Sequence, residues 1–209
     1  MPNNFHYAAY SYLDEWVNKD RRFHSILAEE NSTATSAGDQ IECLSEVAAY
    51  YGVARTLKTI EEKPRLKTAF DALQSIKRPN ENTVVATVEE FARILGGTYG
   101  GTPISAASKF LWMRFRNPVV IRDSVVSSFL CEFGYSDSGY SDYYRIWTDL
   151  YRLHEVQIVE ACSGLTKVKV FTRACDIADM EIKAWTTSEW FKQRVFDHFM
   201  LNEPSFRNS

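Results

Sequence analysis

A glycine-rich turn in the middle of the chain is followed by a basic segment. The turn occupies residues 100–103, and every charged residue between positions 105 and 122 is Lys or Arg, although the whole protein has a formal net charge of −3. Outward backbone N–H groups beside basic side chains suit phosphate binding. A plain connection between two core helices, followed by a solvated helix face, would have the same pattern. The predicted phosphate contacts are Gly100, Gly101, Thr102, Ser105, Lys109, Arg114, Arg116 and Arg122.

Asp123 comes directly after a short link that contains Pro118 and directly before the apolar helical pattern of residues 125–133. An aspartate in this place is an ordinary helix N-cap, because its side chain can accept a hydrogen bond from the first turn. It is equally a candidate catalytic carboxylate. The two roles are compatible, since the start of a helix stabilises a negative charge.

Other catalytic patterns are absent from the sequence. There is no phosphate-loop motif, no nucleophile elbow and no H-E-x-x-H zinc motif, and the glycines at 96–101 lack the preceding strand of a dinucleotide site. The four cysteines are scattered without metal-ligand spacing, so no metal and no cofactor are expected. The four histidines lie on amphipathic stretches and are interpreted as ordinary core or surface residues.

The elements that must position these residues are predicted to be almost entirely α-helical. Apolar residues at helical spacing predict helices near 4–18, 23–27, 41–60, 66–73, 84–95, 104–115, 125–133, 144–164, 174–185 and 188–201. We expect Thr83 to cap the fifth of these and Gly96-Gly97 to end it, and Pro64 to lie in the first turn of the fourth. Residues 31–38 are expected to form a loop, and the alternation at 167–171 allows one short strand.

Composition places the chain among globular proteins. With 209 residues and 45% hydrophobic content, it fits a single all-α domain over 1–209 of roughly eight to ten helices, or two lobes sharing a helix. The N-terminus does not resemble a signal sequence, and no apolar run reaches the ~20 residues that span a bilayer. Together with scattered cysteines, this predicts a cytoplasmic protein without a membrane partner. The oligomeric state is left open.

Residues 84–133 resemble the helix-hairpin-helix DNA glycosylase superfamily. The hairpin near 84–116 and the link N-P-V-V-I-R into Asp123 carry the resemblance. In that family a hairpin grips the DNA backbone, and the catalytic aspartate follows a proline-containing link. The family hairpin is usually L-P-G-x-G, whereas this chain has Thr102-Pro103-Ile104-Ser105, so the second glycine is missing. The lysine of the bifunctional enzymes would fall near Ser105 or Ala106, one helical turn before Lys109, and no four-cysteine cluster follows.

The resemblance implies a monofunctional enzyme that binds double-stranded DNA and leaves an abasic site. Its carboxylate would stabilise the positive charge that develops on the sugar when the N-glycosidic bond breaks, and would orient the attacking water. The target base must first leave the stack, and modified cytosine in phage DNA is one target within the resemblance. The candidate rings of the base pocket are Trp112, Tyr140, Tyr143, Tyr144 and Trp147.

Two other functions fit the same residues. A non-catalytic helical DNA-binding module would use the hairpin and the basic segment without breaking a bond. An interaction protein would have no nucleic-acid role, which is consistent with the net acidity and the imperfect hairpin. Trp112 and Trp147 can equally be core side chains instead of ligand platforms.

Overall fold

The computed structural model describes residues 4–31, 34–57, 66–136 and 139–202, and these are organised into helices and connecting turns without a β-strand. The predicted all-α class is confirmed. The chain divides into two compact units. We call them the central unit, which comprises Arg22–Arg122 and Gly139–Ser141, and the terminal unit, which comprises Met1–Arg21, Asp123–Ser138 and Asp142–Ser209.

The central unit is built from apolar helix faces that pack in chain order, α3 (Ala37–Tyr50) on α4 (Lys67–Ser75), α4 on α5 (Val84–Tyr99), and α5 on α6 (Ile104–Phe115). In the longest of them, Val88, Phe91 and Leu95 recur every three or four residues and are buried. The sixth helix is buried around its whole circumference from 106 to 115. The unit also contains α2 (Arg21–Leu27) except for its first residue.

In the hairpin between α5 and α6, the backbone of Gly101 lies close against Gly96. A Cβ atom on Gly96 would lie 2.2 Å from the carbonyl oxygen of Gly101, so only glycine fits there. The prediction that Gly96-Gly97 ends the helix is wrong. The helix continues to Tyr99 and ends at Gly100, whose φ of 84° and N–H bond to the Gly96 carbonyl oxygen form the cap.

The terminal unit brings the first helix against the last one. Phe5 stacks on Phe199 with ring centroids 4.2 Å apart. One π-helical turn, Trp16–Asp20, extends the first helix, and Trp16 contacts the Trp190 ring at 4.4 Å. This unit contains α1 (Asn4–Glu15), α7 (Ser124–Cys131), α9 (Leu165–Val168), α10 (Asp179–Thr186), α11 (Glu189–Asn202) and all but the first two residues of α8 (Tyr140–Ser163).

The structure corrects several predicted boundaries. Residues 167–171 form the end of α9 and the 3₁₀ turn Lys169–Phe171, not a strand, because no partner strand is present among the described residues to bond with. The helix predicted over 41–60 ends at Tyr50, and α3 already begins at Ala37, inside the predicted loop. Residues 51–57 form turns, and Pro64 and residues 58–60 of the predicted helix lie outside the described residues.

Candidate functional site

The hairpin predicted to meet phosphate uses two of its backbone N–H groups within the turn itself. Gly100 and Gly101 both have positive φ, and Gly101 and Thr102 are exposed. The N–H groups of Gly100 and Ile104 are bonded to the carbonyl oxygens of Gly96 and Thr102, at 2.9 and 2.8 Å. Those two N–H groups stabilise the turn, so a phosphate could be met only by the others.

Lys109 is not a surface residue. Its side chain is buried, and its ammonium donates a 3.1 Å hydrogen bond to the Tyr51 carbonyl oxygen and lies 5.8 Å from the centre of the Tyr51 ring. The prediction that Lys109 contacts phosphate is therefore wrong. The physical reason is that α6 is packed against other parts of the chain on all sides, so the charged residues within it are buried with the rest of the helix.

Arg114 is also buried, with 5% of its surface exposed. Burial lowers the pKa of its guanidinium, and neither Nε nor Nη1 forms a hydrogen bond with the described residues. The predicted basic face is thus reduced to Arg116 and Arg122. Arg116 ends α6 with a φ of 54° and donates to the Glu30 carboxylate at 3.4 Å.

The backbone link between α6 and Asp123 is fixed by side-chain hydrogen bonds within the central unit. The Asn117–Pro118 peptide is cis, and residues 119–121 are buried. The Tyr140 hydroxyl accepts from the N–H of Val120 at 3.1 Å and donates to its carbonyl oxygen at 2.7 Å. The buried Ser108 hydroxyl accepts the N–H of Arg122 at 2.9 Å. These bonds fix the backbone immediately before the candidate catalytic residue.

Asp123 is the N-cap of α7, as the sequence predicts. Its Oδ1 accepts the Val125 N–H at 2.9 Å, and its carbonyl oxygen accepts the first helical bond, from Ser127, at 2.8 Å. The residue is partly exposed. A carboxylate held by a helix start in this way has a fixed orientation and a favourable electrostatic environment.

A buried polar cluster in the terminal unit was not predicted from the sequence. Asp197 accepts hydrogen bonds from Trp147 Nε1 at 2.8 Å and from Arg194 Nη1 at 2.7 Å. Burial raises the pKa of Asp197 to about 6, and the negative charge of Asp123 adds to that rise. The only sequence signal was an Arg and an Asp three positions apart among the apolar residues of α11. The structure therefore places a second carboxyl within electrostatic reach of Asp123.

Four of the five predicted base-pocket rings are core side chains. Trp112 and Tyr140, in the central unit, are 1% and 0% exposed. In the terminal unit, Tyr143 packs edge-on against Tyr135, and Trp147 is bonded to Asp197. Of the five, Tyr144 alone is partly exposed. The expectation that the other four rings stack on a flipped base is corrected, because large apolar rings are stabilised by burial in the core, where a base cannot reach them.

Within the described ranges, no group of His, Cys, Asp or Glu side chains could hold a metal ion, and no described helix is long and apolar enough to cross a membrane. No protein family, curated protein or solved structure matches this chain.

Proposed function

We propose that this protein is a monofunctional DNA glycosylase that uses Asp123 as its catalytic carboxylate. The observation that carries the proposal is the placement of that carboxylate. It is partly exposed, it is held by the first turn of α7, and it directly follows a backbone link fixed by Tyr140 and Ser108. A rigid, oriented carboxylate is what stabilisation of a developing positive charge requires.

The reaction class follows from what one carboxylate can do. When the bond between base and sugar breaks, positive charge builds on the sugar ring, and a nearby carboxylate stabilises it and orients the attacking water. A lyase reaction needs a lysine amine free to attack the sugar. Lys109 is buried and bonded to the Tyr51 carbonyl oxygen, which supports the simple hydrolytic reaction over the lyase reaction.

Double-stranded DNA with a damaged or modified base is the proposed substrate. The hairpin supports this choice, because Gly101 and Thr102 are exposed at a tight turn where backbone can approach a phosphate closely. Arg116 and Arg122 are the basic residues of the segment that are not fully buried. Modified cytosine in phage DNA is a target to be included in the assay, and the target base would be flipped out of the helix.

The test compares two substitutions of Asp123. Asn is as good an N-cap as Asp, whereas Ala removes the cap. We therefore expect Asp123→Asn to keep the stability of α7 and to lower release of the base by at least about a hundredfold, since the amide carries no charge. Asp123→Ala should lose the activity and also about 1 kcal/mol of stability.

The assay is formation of abasic sites in duplexes that carry modified or unmodified bases. Asp149→Asn is the matched control, because Asp149 is an exposed aspartate on α8 that the proposal does not use. Full activity in Asp123→Asn would show that the carboxylate is not catalytic.

A non-catalytic DNA-binding module is the second candidate, and the engagement of Asp123 as a helix cap favours it. It predicts salt-sensitive binding without base release, weakened when Arg116 and Arg122 are neutralised. The burial of Lys109 and Arg114 favours a third candidate, an interaction protein. That candidate predicts no DNA binding even at low salt.

A further inference from the structure

A cavity of about 520 Å³ opens on the terminal unit, between α1 and the turn that begins at the end of α8. Its volume lies in the ~300–1,000 Å³ range of small-molecule sites. None of the residues predicted to act on DNA lines the cavity, so a ligand bound there would be independent of the proposed function.

The walls of the cavity are mainly aromatic and aliphatic. Tyr7 and Phe171 contribute rings that are 62% and 75% exposed, and Leu165 and Val168 contribute aliphatic surface. The Tyr10 hydroxyl donates to the Phe171 carbonyl oxygen, which joins the two sides of the cavity. Large apolar side chains that cluster around a concavity are typical of a binding surface. Elsewhere on a protein surface, exposed apolar residues occur singly.

The polar groups of the cavity are basic. Lys167 and His6 both line it and are both exposed. Lys169 is by contrast bonded to Asp179 at 2.6 Å, while Lys167 forms no ion pair with any part of the chain that the structure describes. A cation at the edge of an aromatic cavity selects a ligand with the opposite charge.

We propose that this cavity binds a small planar aromatic anion. The flat body of the ligand would lie against the Tyr7 and Phe171 rings, where offset or edge contacts between rings are favourable. Its carboxylate or sulfonate would face Lys167. The size of the cavity suits a ligand of two or three rings, not a nucleic acid or a folded domain.

The probe is 1-anilinonaphthalene-8-sulfonate, whose fluorescence rises on binding, with N-phenyl-1-naphthylamine as an analogue that lacks the sulfonate. We expect one saturable site for the sulfonate. Lys167→Glu should weaken sulfonate binding about tenfold and leave binding of the uncharged analogue nearly unchanged. Phe171→Ser should weaken binding of both probes, because the ring contact is common to them.

Two control variants match these changes outside the cavity. Lys183→Glu reverses an exposed lysine of α10, and Met180→Ser removes an apolar side chain that is 83% exposed. Both should bind the two probes like the wild type. Circular dichroism checks that each variant keeps its helices, which exposed substitutions should not disturb. The proposal is overturned if Lys167→Glu and Phe171→Ser bind like the wild type, or if the controls lose binding equally.

Discussion

Replacing Gly96 by alanine should open the hairpin between α5 and α6. The new Cβ would lie 2.2 Å from the Gly101 carbonyl oxygen, about 1 Å inside contact distance, and that oxygen belongs to backbone that cannot rotate away. Overpacking of this kind costs about 3 kcal/mol at the upper end. The same substitution gains about 1 kcal/mol of helix propensity. The expected net loss is therefore about 2 kcal/mol in the free energy of unfolding.

Gly97 provides a matched control one residue further along the same helix. A Cβ atom there would meet nothing within 4 Å, and the position is exposed. Gly97→Ala should therefore show only the propensity gain, a stabilisation of up to about 1 kcal/mol. Because that gain is common to the two variants, the difference between them, about 3 kcal/mol, measures the clash with Gly101 alone.

Urea denaturation followed by far-ultraviolet circular dichroism measures both free energies, and thermal melts should show the same order. In a chain of this size, 1 kcal/mol corresponds to roughly 2–4 °C in melting temperature. Equal stability of the two variants would refute the close approach of Gly96 to Gly101. DNA binding, where present, should fall in Gly96→Ala and persist in Gly97→Ala, because the clash displaces the turn proposed to meet the phosphate.

Three further predictions concern buried polar groups. Tyr140→Phe should lose about 1–3 kcal/mol in urea denaturation and part of the activity, because the link before the candidate carboxylate loses both bonds to a buried backbone unit. Burial lowers the pKa of His24 and of His198 from 6.5 to about 3, so both stay neutral in the folded chain while the unfolded chain binds protons below pH 6.5. The free energy of unfolding should therefore fall as the pH is lowered from 7 to 5. Asp197 offsets part of this loss, because its raised pKa lets the folded chain bind a proton in the same range. The expected net loss is about 2 kcal/mol, measured by urea denaturation at pH 7 and at pH 5. Arg114→Met should change the free energy of unfolding by no more than about 1 kcal/mol, because a buried guanidinium stabilises the fold little more than an apolar side chain does. DNA binding should be unchanged, since the side chain is buried. A large loss of binding would show that Arg114 contacts DNA after all.

Local patterns predicted the helices well and the orientation of charged residues poorly. The recurrence of Val88, Phe91 and Leu95 predicted α5, because helical periodicity follows from residues close in sequence. Asp123 was likewise predicted as an N-cap, since a cap bonds only its own first turn. Lys109 was assigned to the surface because charged residues seldom lie in a core, and its partner, Tyr51, is far away in the sequence.

The all-helical class, most helix positions and the place of Asp123 at the start of α7 could be read from the order of the residues. These properties depend on interactions within a turn or two of helix. Long-range packing was needed to establish that Trp147 bonds Asp197, that α5 runs through Gly96 to Tyr99, and that an aromatic cavity forms beside Lys167. Each of these depends on groups brought together from distant parts of the chain, and helical periodicity does not say which buried faces meet.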